Sequence, residues 1–195
     1  MRAVKEGARV AEMSVADLSV ESTMGEIVEA LPGARRAIFA RYHLGGCQSC
    51  AFSEEETLAE LCGRAGDLPP EEVLEHLLAS HAHDLEMLVE PATAKGWIEA
   101  GDARLIDIRT REEHEAVAIG NSEFFTQELQ QEVFAGDPAR RIVLYDHAGK
   151  SVLDQVAWFR GHGLKRTYGL KGGIDAWSRE VDAAVPRYRI EVDEG

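Results

Sequence analysis

Two stretches of this chain hold residue types at spacings that can do chemistry. The first is Cys47-Gln48-Ser49-Cys50, a C-x-x-C preceded by Gly45 and Gly46 and followed by "AFSEEETLAELC". Glycines ahead of the pair and a helix start behind it place both thiols near free backbone N–H groups. Such donors lower a thiol pKa and make thiolate available at neutral pH. The pair supports thiol–disulfide or sulfur-relay chemistry, metal or iron–sulfur binding, or an idle structural role. A zinc or iron–sulfur cluster needs about four ligands, so a metal reading of Cys47 and Cys50 calls for a four-cysteine site shared by two copies in a homodimer. His81 and His83, in "SHAHD", could instead join the pair on zinc, although that stretch reads first as a solvated helix end. Cys62 shares a helical face with Leu58 and Leu61 and reads as a small buried hydrophobe. His43 reads as a surface or capping residue, with tuning of a thiolate as its functional alternative.

The second stretch is "RIVLYDHAGKSV", residues 141–152, a short apolar strand running into a tight polar loop and then a helix. Junctions of this kind hold an anion or a nucleophile at the helix N-terminus. The loop is Asp146, His147, Ala148, Gly149, Lys150 and Ser151, so a carboxylate stands where a reactive group is usually presented. "HAGKS" is not a phosphate loop: that motif needs glycine at position 144, which is Leu. Lys150 and His147 could attract an anion, but the negative Asp146 beside them opposes it.

The elements that must position these groups differ between the two halves. From about Asp17 the pattern is helical. "STMGEIVEAL" offers a capping box of Thr23 with Glu26, "GARRAIFARYH" puts Ile38 and Phe39 on one face before Gly45 and Gly46 stop it, and "SEEETLAELCGRAG" restarts with a second box expected at Ser53 and Glu56. "PPEEVLEHLLASH" opens on proline and carries the stripe Val73, Leu74, Leu77 and Leu78. After "HAHDLEM" short apolar strands, "RLIDI", "RIVLY" and "RTYGL", alternate with the helical runs "PATAKGWIEAG", "TREEHEAVA", "TQELQQEVF", "KSVLDQVAWFRGHG" and "IDAWSRE". That alternation predicts a parallel α/β sheet, whose sites form at the carboxyl ends of strands. The fold class expected is therefore a small all-helical N-terminal domain over residues 14–82 and a parallel α/β domain over 85–190.

With 195 residues, 45% hydrophobic and 29% charged, the chain can bury a real core. Its net charge of −14 disfavours nucleic acid, which demands clustered Lys and Arg. No apolar run approaches a membrane span and the start "MRAVKEGARVAEM" lacks a secretory core, so the expectation is a cytoplasmic protein with no membrane partner. In a reducing cytosol a C-x-x-C is redox-active or metal-binding more often than a structural disulfide.

"LIDIRTREEHEA", "RIVLYDHAGKSV" and "GLKRTYGLKGGIDAW" together resemble the rhodanese homology domain. Asp107 and Arg109 fall at the D-x-R of that family, Gly149 at its loop glycine, and Leu170-Lys171-Gly172-Gly173-Ile174-Asp175-Ala176-Trp177 at its closing signature. The resemblance implies a sulfurtransferase fold in which a cysteine at the head of the loop carries sulfane sulfur as a persulfide. At that position this chain has Asp146, and it has Ser151 where an arginine is common and Val117-Ala118-Ile119 where the family shows G-H-I. A carboxylate cannot form a persulfide, so the domain is expected to be silent as a sulfurtransferase. Asp146 then reads either as a built-in anion that fills the loop's N–H cradle or as a solvated remnant. The segment from Leu18 to about Leu78, carried by "MGEIVEALPGARRAIFARYHLGGCQSC", resembles the helical redox-disulfide domains associated with hybrid-cluster proteins, and more distantly the cysteine domain of iron–sulfur cluster repair proteins. That resemblance implies a dithiol/disulfide function for Cys47 and Cys50.

Three functions follow as expectations. One is an accessory protein of sulfur or redox metabolism, without a cofactor, whose inert rhodanese-like domain docks a protein partner. Another is a metal or iron–sulfur binding protein. The third is a sulfurtransferase that uses the N-terminal pair as its sulfur carrier, which Asp146 opposes by repelling an incoming thiolate.

Overall fold

The structure, a computed structural model, describes residues 14–45 and 51–188. The chain divides into two compact units, Met1–His81 and Ala82–Gly195.

In the first unit a 3-10 turn (Val15–Asp17) precedes α1 (Met24–Ala30), α2 (Ala34–Tyr42), α3 (Leu58–Arg64) and α4 (Pro70–Leu85), of which residues 82–85 already count with the second unit. Met24, Ile27, Leu31, Ile38, Leu58, Leu61, Val73 and Leu77 form its core, from the apolar stripes the sequence displays. The Thr23–Glu26 capping box forms at α1 as expected. The second box does not: α3 is capped by Thr57 with Glu60, four residues later than expected. Two features hold residues 53–57 out of the helix. Backbone N–H groups of Met24 and Gly25 donate to the carbonyls of Glu56 (2.8 Å) and Glu54 (2.9 Å), and the Glu56 carboxylate is engaged by Arg64. Ser53 instead accepts the Glu55 N–H in a local turn. A further difference concerns the end of α2, where His43, in the left-handed region at φ 56°, is the cap and the glycines are not. Helix α4 also continues past its expected end at His81 to Leu85.

The second unit is a five-stranded parallel sheet. Its strands are β1 (Leu88–Val89), β2 (Ala103–Asp107), β3 (Glu123–Phe124), β4 (Arg141–Tyr145) and β5 (Thr167–Leu170), in the order β1-β5-β4-β2-β3. Helices α5 (Pro91–Glu99), α6 (Arg111–Ala116), α7 (Gln127–Ala135), α8 (Val152–Gly161) and α9 (Gly173–Glu180) connect and follow them. Side chains alternate across the sheet. Val143 and Tyr145 join Leu105, Ile174 and Trp177 in one core, while Ile142 and Leu144 join Ile106, Val156 and Phe159 in another. Two buried faces explain why "IVLY" and the "LI" of "RLIDI" read as apolar runs without polar alternation. The central strands β2 and β4 pair in register from Ala103 opposite Arg141 to Asp107 opposite Tyr145. Both therefore end at the same edge of the sheet, which is where the loop begins.

Candidate functional site

The loop after β4 is built around Asp146, which is 8% exposed. Its carboxylate accepts the backbone N–H of Gly149 through one oxygen and that of Val152, at 3.0 Å, through the other. Val152 is the first residue of α8, so its N–H has no partner within the helix. Ser151, the residue in the capping position, makes no side-chain cap. Asp146 thus caps α8 from the far side of the loop, with a charge that suits the positive helix terminus.

The loop is also clamped from below. The Ile174 N–H donates to the Asp146 carbonyl at 3.0 Å and the Asp175 N–H to the His147 carbonyl at 3.2 Å. This brings the start of α9 against the loop so closely that no Cβ fits. One on Gly149 would strike the Gly172 backbone, and one on Gly173 would strike Asp146 and His147. Gly149, Gly172 and Gly173 all have positive φ, at 78°, 68° and 58°. The glycines of "LKGG" are accordingly needed for contact and for conformation alike.

Behind the loop lies a buried polar network centred on Asp107, which has no exposed surface. Its carboxylate accepts from the Arg109 backbone N–H (3.0 Å), from Arg109 Nε (2.9 Å) and Nη2 (2.5 Å), and from the Tyr145 hydroxyl (2.7 Å). His114 Nδ1 stands 2.8 Å from the same carboxylate, and an ionised Asp can only accept, so that nitrogen carries the proton. Burial opposes the charge on Asp107, yet the hydrogen bonds from Arg109, His114 and Tyr145 outweigh it and hold the carboxyl below its usual range. Burial likewise opposes the Arg109 charge, and its bonds to Asp107 and Tyr188 hold it above the usual value. The Tyr145 hydroxyl is raised by burial and by the Asp107 charge. "VAI" serves this network through its backbone alone: the Val117 carbonyl accepts from Arg109 Nη2 at 2.6 Å and the Ile119 N–H donates to the Tyr145 oxygen at 3.3 Å.

A final wall comes from Val185–Tyr188. Ser178 Oγ donates to the Val185 carbonyl, Arg187 Nε donates to Asp175 at 2.7 Å, and Arg109 donates to the Tyr188 oxygen. Tyr188 in turn donates to Glu113 at 2.9 Å, and its ring meets the edge of His147 with centroids 4.7 Å apart. Between these groups lies a cavity of about 410 Å³ lined by His147, Asp175, Arg187 and Tyr188. Among the described residues, those lining it include no thiol.

Of the residues singled out in the sequence, the structure brings Asp146, His147, Gly149, Asp107 and Arg109 into one region. Lys150 and Ala148 are exposed in the same loop. Cys47 and Cys50 lie outside the described residues. Cys62 is 1% exposed in the helical core, and burial, followed by the nearby Glu71 charge, raises its thiol pKa. His81 and His83 lie on α4, with His83 Nδ1 3.4 Å from Glu86. Among the described residues no group of three or more His, Cys, Asp or Glu is arranged to hold a metal. Nor, among them, is any helix long and apolar enough to cross a membrane. His114, Tyr145 and Tyr188 were not anticipated from sequence. Tyr145 had a signal, a polar-tipped aromatic closing a buried strand, whereas Tyr188 is distant in sequence from Arg109, Glu113 and His147, the groups it meets at the site.

Residues 90–180 match the family model of the Rhodanese-like domain and form such a domain, in line with the resemblance and with the parallel α/β class expected of it. Among solved structures, the chain is similar to a rhodanese-related protein from Thermoplasma volcanium, at 20% identity over 48% of this chain and 92% of that one, TM-score 0.41. It is similar to a protein from Lactobacillus plantarum at 20% identity over 60% and 98%, TM-score 0.43. A thiosulfate sulfurtransferase from Pseudomonas aeruginosa matches at 24% identity over 51% of this chain but 18% of its own length, TM-score 0.42. No curated protein matches the chain.

Proposed function

We propose that the rhodanese-like domain is a docking module without sulfur-transfer chemistry of its own, within an accessory protein of sulfur or redox metabolism. The observation that carries this reading is the double hydrogen bond from the loop to Asp146, from the N–H groups of Gly149 and Val152. In the family resemblance, N–H groups of this loop stabilise a thiolate or persulfide held by a cysteine at the position of Asp146. Here a fixed carboxylate takes that place, so the donors already serve an anion and no sulfur atom is present to accept another. The loop keeps its shape and loses its reaction.

The chemistry then falls to Cys47 and Cys50. A thiolate of the pair attacks a disulfide of the partner and forms a mixed disulfide, which the second thiol resolves. The pair leaves oxidised, and the partner receives two electrons and two protons.

Thiosulfate:cyanide sulfurtransferase activity of the purified protein tests the first half of this reading, and appreciable turnover abolished by Cys47→Ser would falsify it. The second half is tested by thiol content on anaerobically purified protein. Reversible loss of two thiols on mild oxidation, absent in Cys50→Ser, is expected. Brown protein with bound iron, or stoichiometric zinc released on alkylating Cys47 and Cys50, would replace the redox reading with the metal-binding one.

A further inference from the structure

Helix α2 carries no acidic residue in a chain whose net charge is −14. Its solvent side groups Arg35, Arg36, Phe39, Ala40 and His43, which helical spacing places on one face. Phe39 is 50% exposed there, with the His43 ring edge-on at 6.1 Å. Alongside this face the same unit has a cleft of the opposite sign. It has a volume of about 570 Å³ and is lined by Thr23, Gly25, Val28, Glu29, Glu54 and Glu55. The two halves meet at the ion pair of Arg35 with Glu54 at 3.5 Å, where the guanidinium also covers the Phe52 ring at 4.7 Å.

A patch with one basic, aromatic half and one acidic half is complementary to itself when turned about a two-fold axis at the seam. Residue i of one copy then meets residue j of the other, and j meets i, as an isologous contact requires. We infer that this face pairs two copies of the chain, with Phe39 of each entering the cleft beside Val28 and between the glutamates of the other. The overall charge sharpens the assignment. Two copies carrying −14 each repel at most orientations. An approach that sets the α2 face against the cleft replaces that repulsion with attraction, while the ring removes apolar surface from water.

Sedimentation velocity on the full chain, kept reduced so that no disulfide can link the copies, tests the pairing. The unmodified chain is expected to show a concentration-dependent monomer–dimer equilibrium. Phe39→Asp is expected to run as a monomer with an unchanged far-ultraviolet spectrum, since the exposed ring supports no core. Arg36→Glu and Glu55→Lys, each alone, are expected to weaken the dimer by about tenfold, a loss of roughly 1.4 kcal/mol. Combining both changes in one chain restores the opposite charges and is expected to recover the dimer. A monomer at every concentration overturns the inference, as does a dimer indifferent to Phe39→Asp or a combined variant as weak as the single ones. If the unmodified chain stays monomeric yet binds an unrelated acidic protein through Phe39, the face belongs to that partner and self-pairing is wrong.

Discussion

The Tyr145 hydroxyl donates to the Asp107 carboxylate across 2.7 Å, linking the final residues of two neighbouring strands that pair in register. This bond joins the sheet to the polar network, and Arg109 and His114 complete the shell around the same carboxylate. The architecture is laid down by backbone pairing, and the network then fixes the direction in which both strand ends release their loops.

Removing Arg109 tests how far the network depends on balanced charge. Arg109→Met leaves Asp107 ionised and fully buried without its main partner, a change expected to cost about 3–5 kcal/mol. All three tryptophans, Trp97, Trp158 and Trp177, lie in the second unit, so denaturant unfolding followed by their fluorescence reports that unit. A loss under about 1 kcal/mol would mean that the pair is solvated.

The pH dependence has a definite sign. The Asp107 carboxyl sits below its ordinary value in the fold, because hydrogen bonds outweigh burial. Its contribution to stability is therefore present above the unfolded value of about 3.9 and is lost as pH falls through the lower folded value. In Arg109→Met, burial dominates and drives the carboxyl upward instead. The acid-unfolding midpoint of the second unit is expected to move to higher pH in that variant, which an acid titration of tryptophan fluorescence measures.

Asp146→Ala leaves the Gly149 and Val152 N–H groups without their acceptor in a buried loop. The expected cost is about 1–3 kcal/mol in the same fluorescence-detected unfolding. An unchanged midpoint would show that water replaces the carboxylate and that the residue holds nothing in place. Asp146→Cys offers a complementary readout. If the loop retains its shape, a thiol there is expected to gain one sulfur atom in mass on treatment with thiosulfate.

Cys62 is expected to be inert in the native protein, since it is 1% exposed and its thiol pKa is raised by burial. In a Cys47→Ser, Cys50→Ser variant, a thiol reagent should find almost no reactive sulfur until denaturant is added. Rapid labelling before denaturation would place Cys62 in contact with solvent and contradict its core position.

Much of this molecule was legible in its residues, and the failures share a cause. The strand "RIVLY" and the box of Thr23 with Glu26 are local patterns, and both formed where they were expected. The second box was misplaced because two candidates, Ser53 with Glu56 and Thr57 with Glu60, overlap in "SEEETLAE". Only the hydrogen bonds that the Glu54 and Glu56 carbonyls accept from α1, set by tertiary contact, decide between them. The distinction is measurable: Thr57→Ala should cost the helical unit about 1 kcal/mol and Ser53→Ala much less, by circular dichroism during thermal unfolding. Strands β1 and β3, at two residues each, carry too little pattern to be seen. Asp107 and Arg109 were found through a motif, whereas Tyr188 reaches Arg109 from 79 positions away and no spacing rule reveals it.

The wall formed by Val185–Tyr188 bears on where this rhodanese-like domain should be cut. The family match stops at residue 180, short of the segment that covers Arg109 and faces His147. A fragment excised at that boundary would keep every strand and helix of the family pattern. It would nevertheless open the cavity on one side, strip Arg109 of its tyrosine and free Asp175 from Arg187. Any ligand or partner screened against such a fragment would meet a surface that the intact chain keeps for itself.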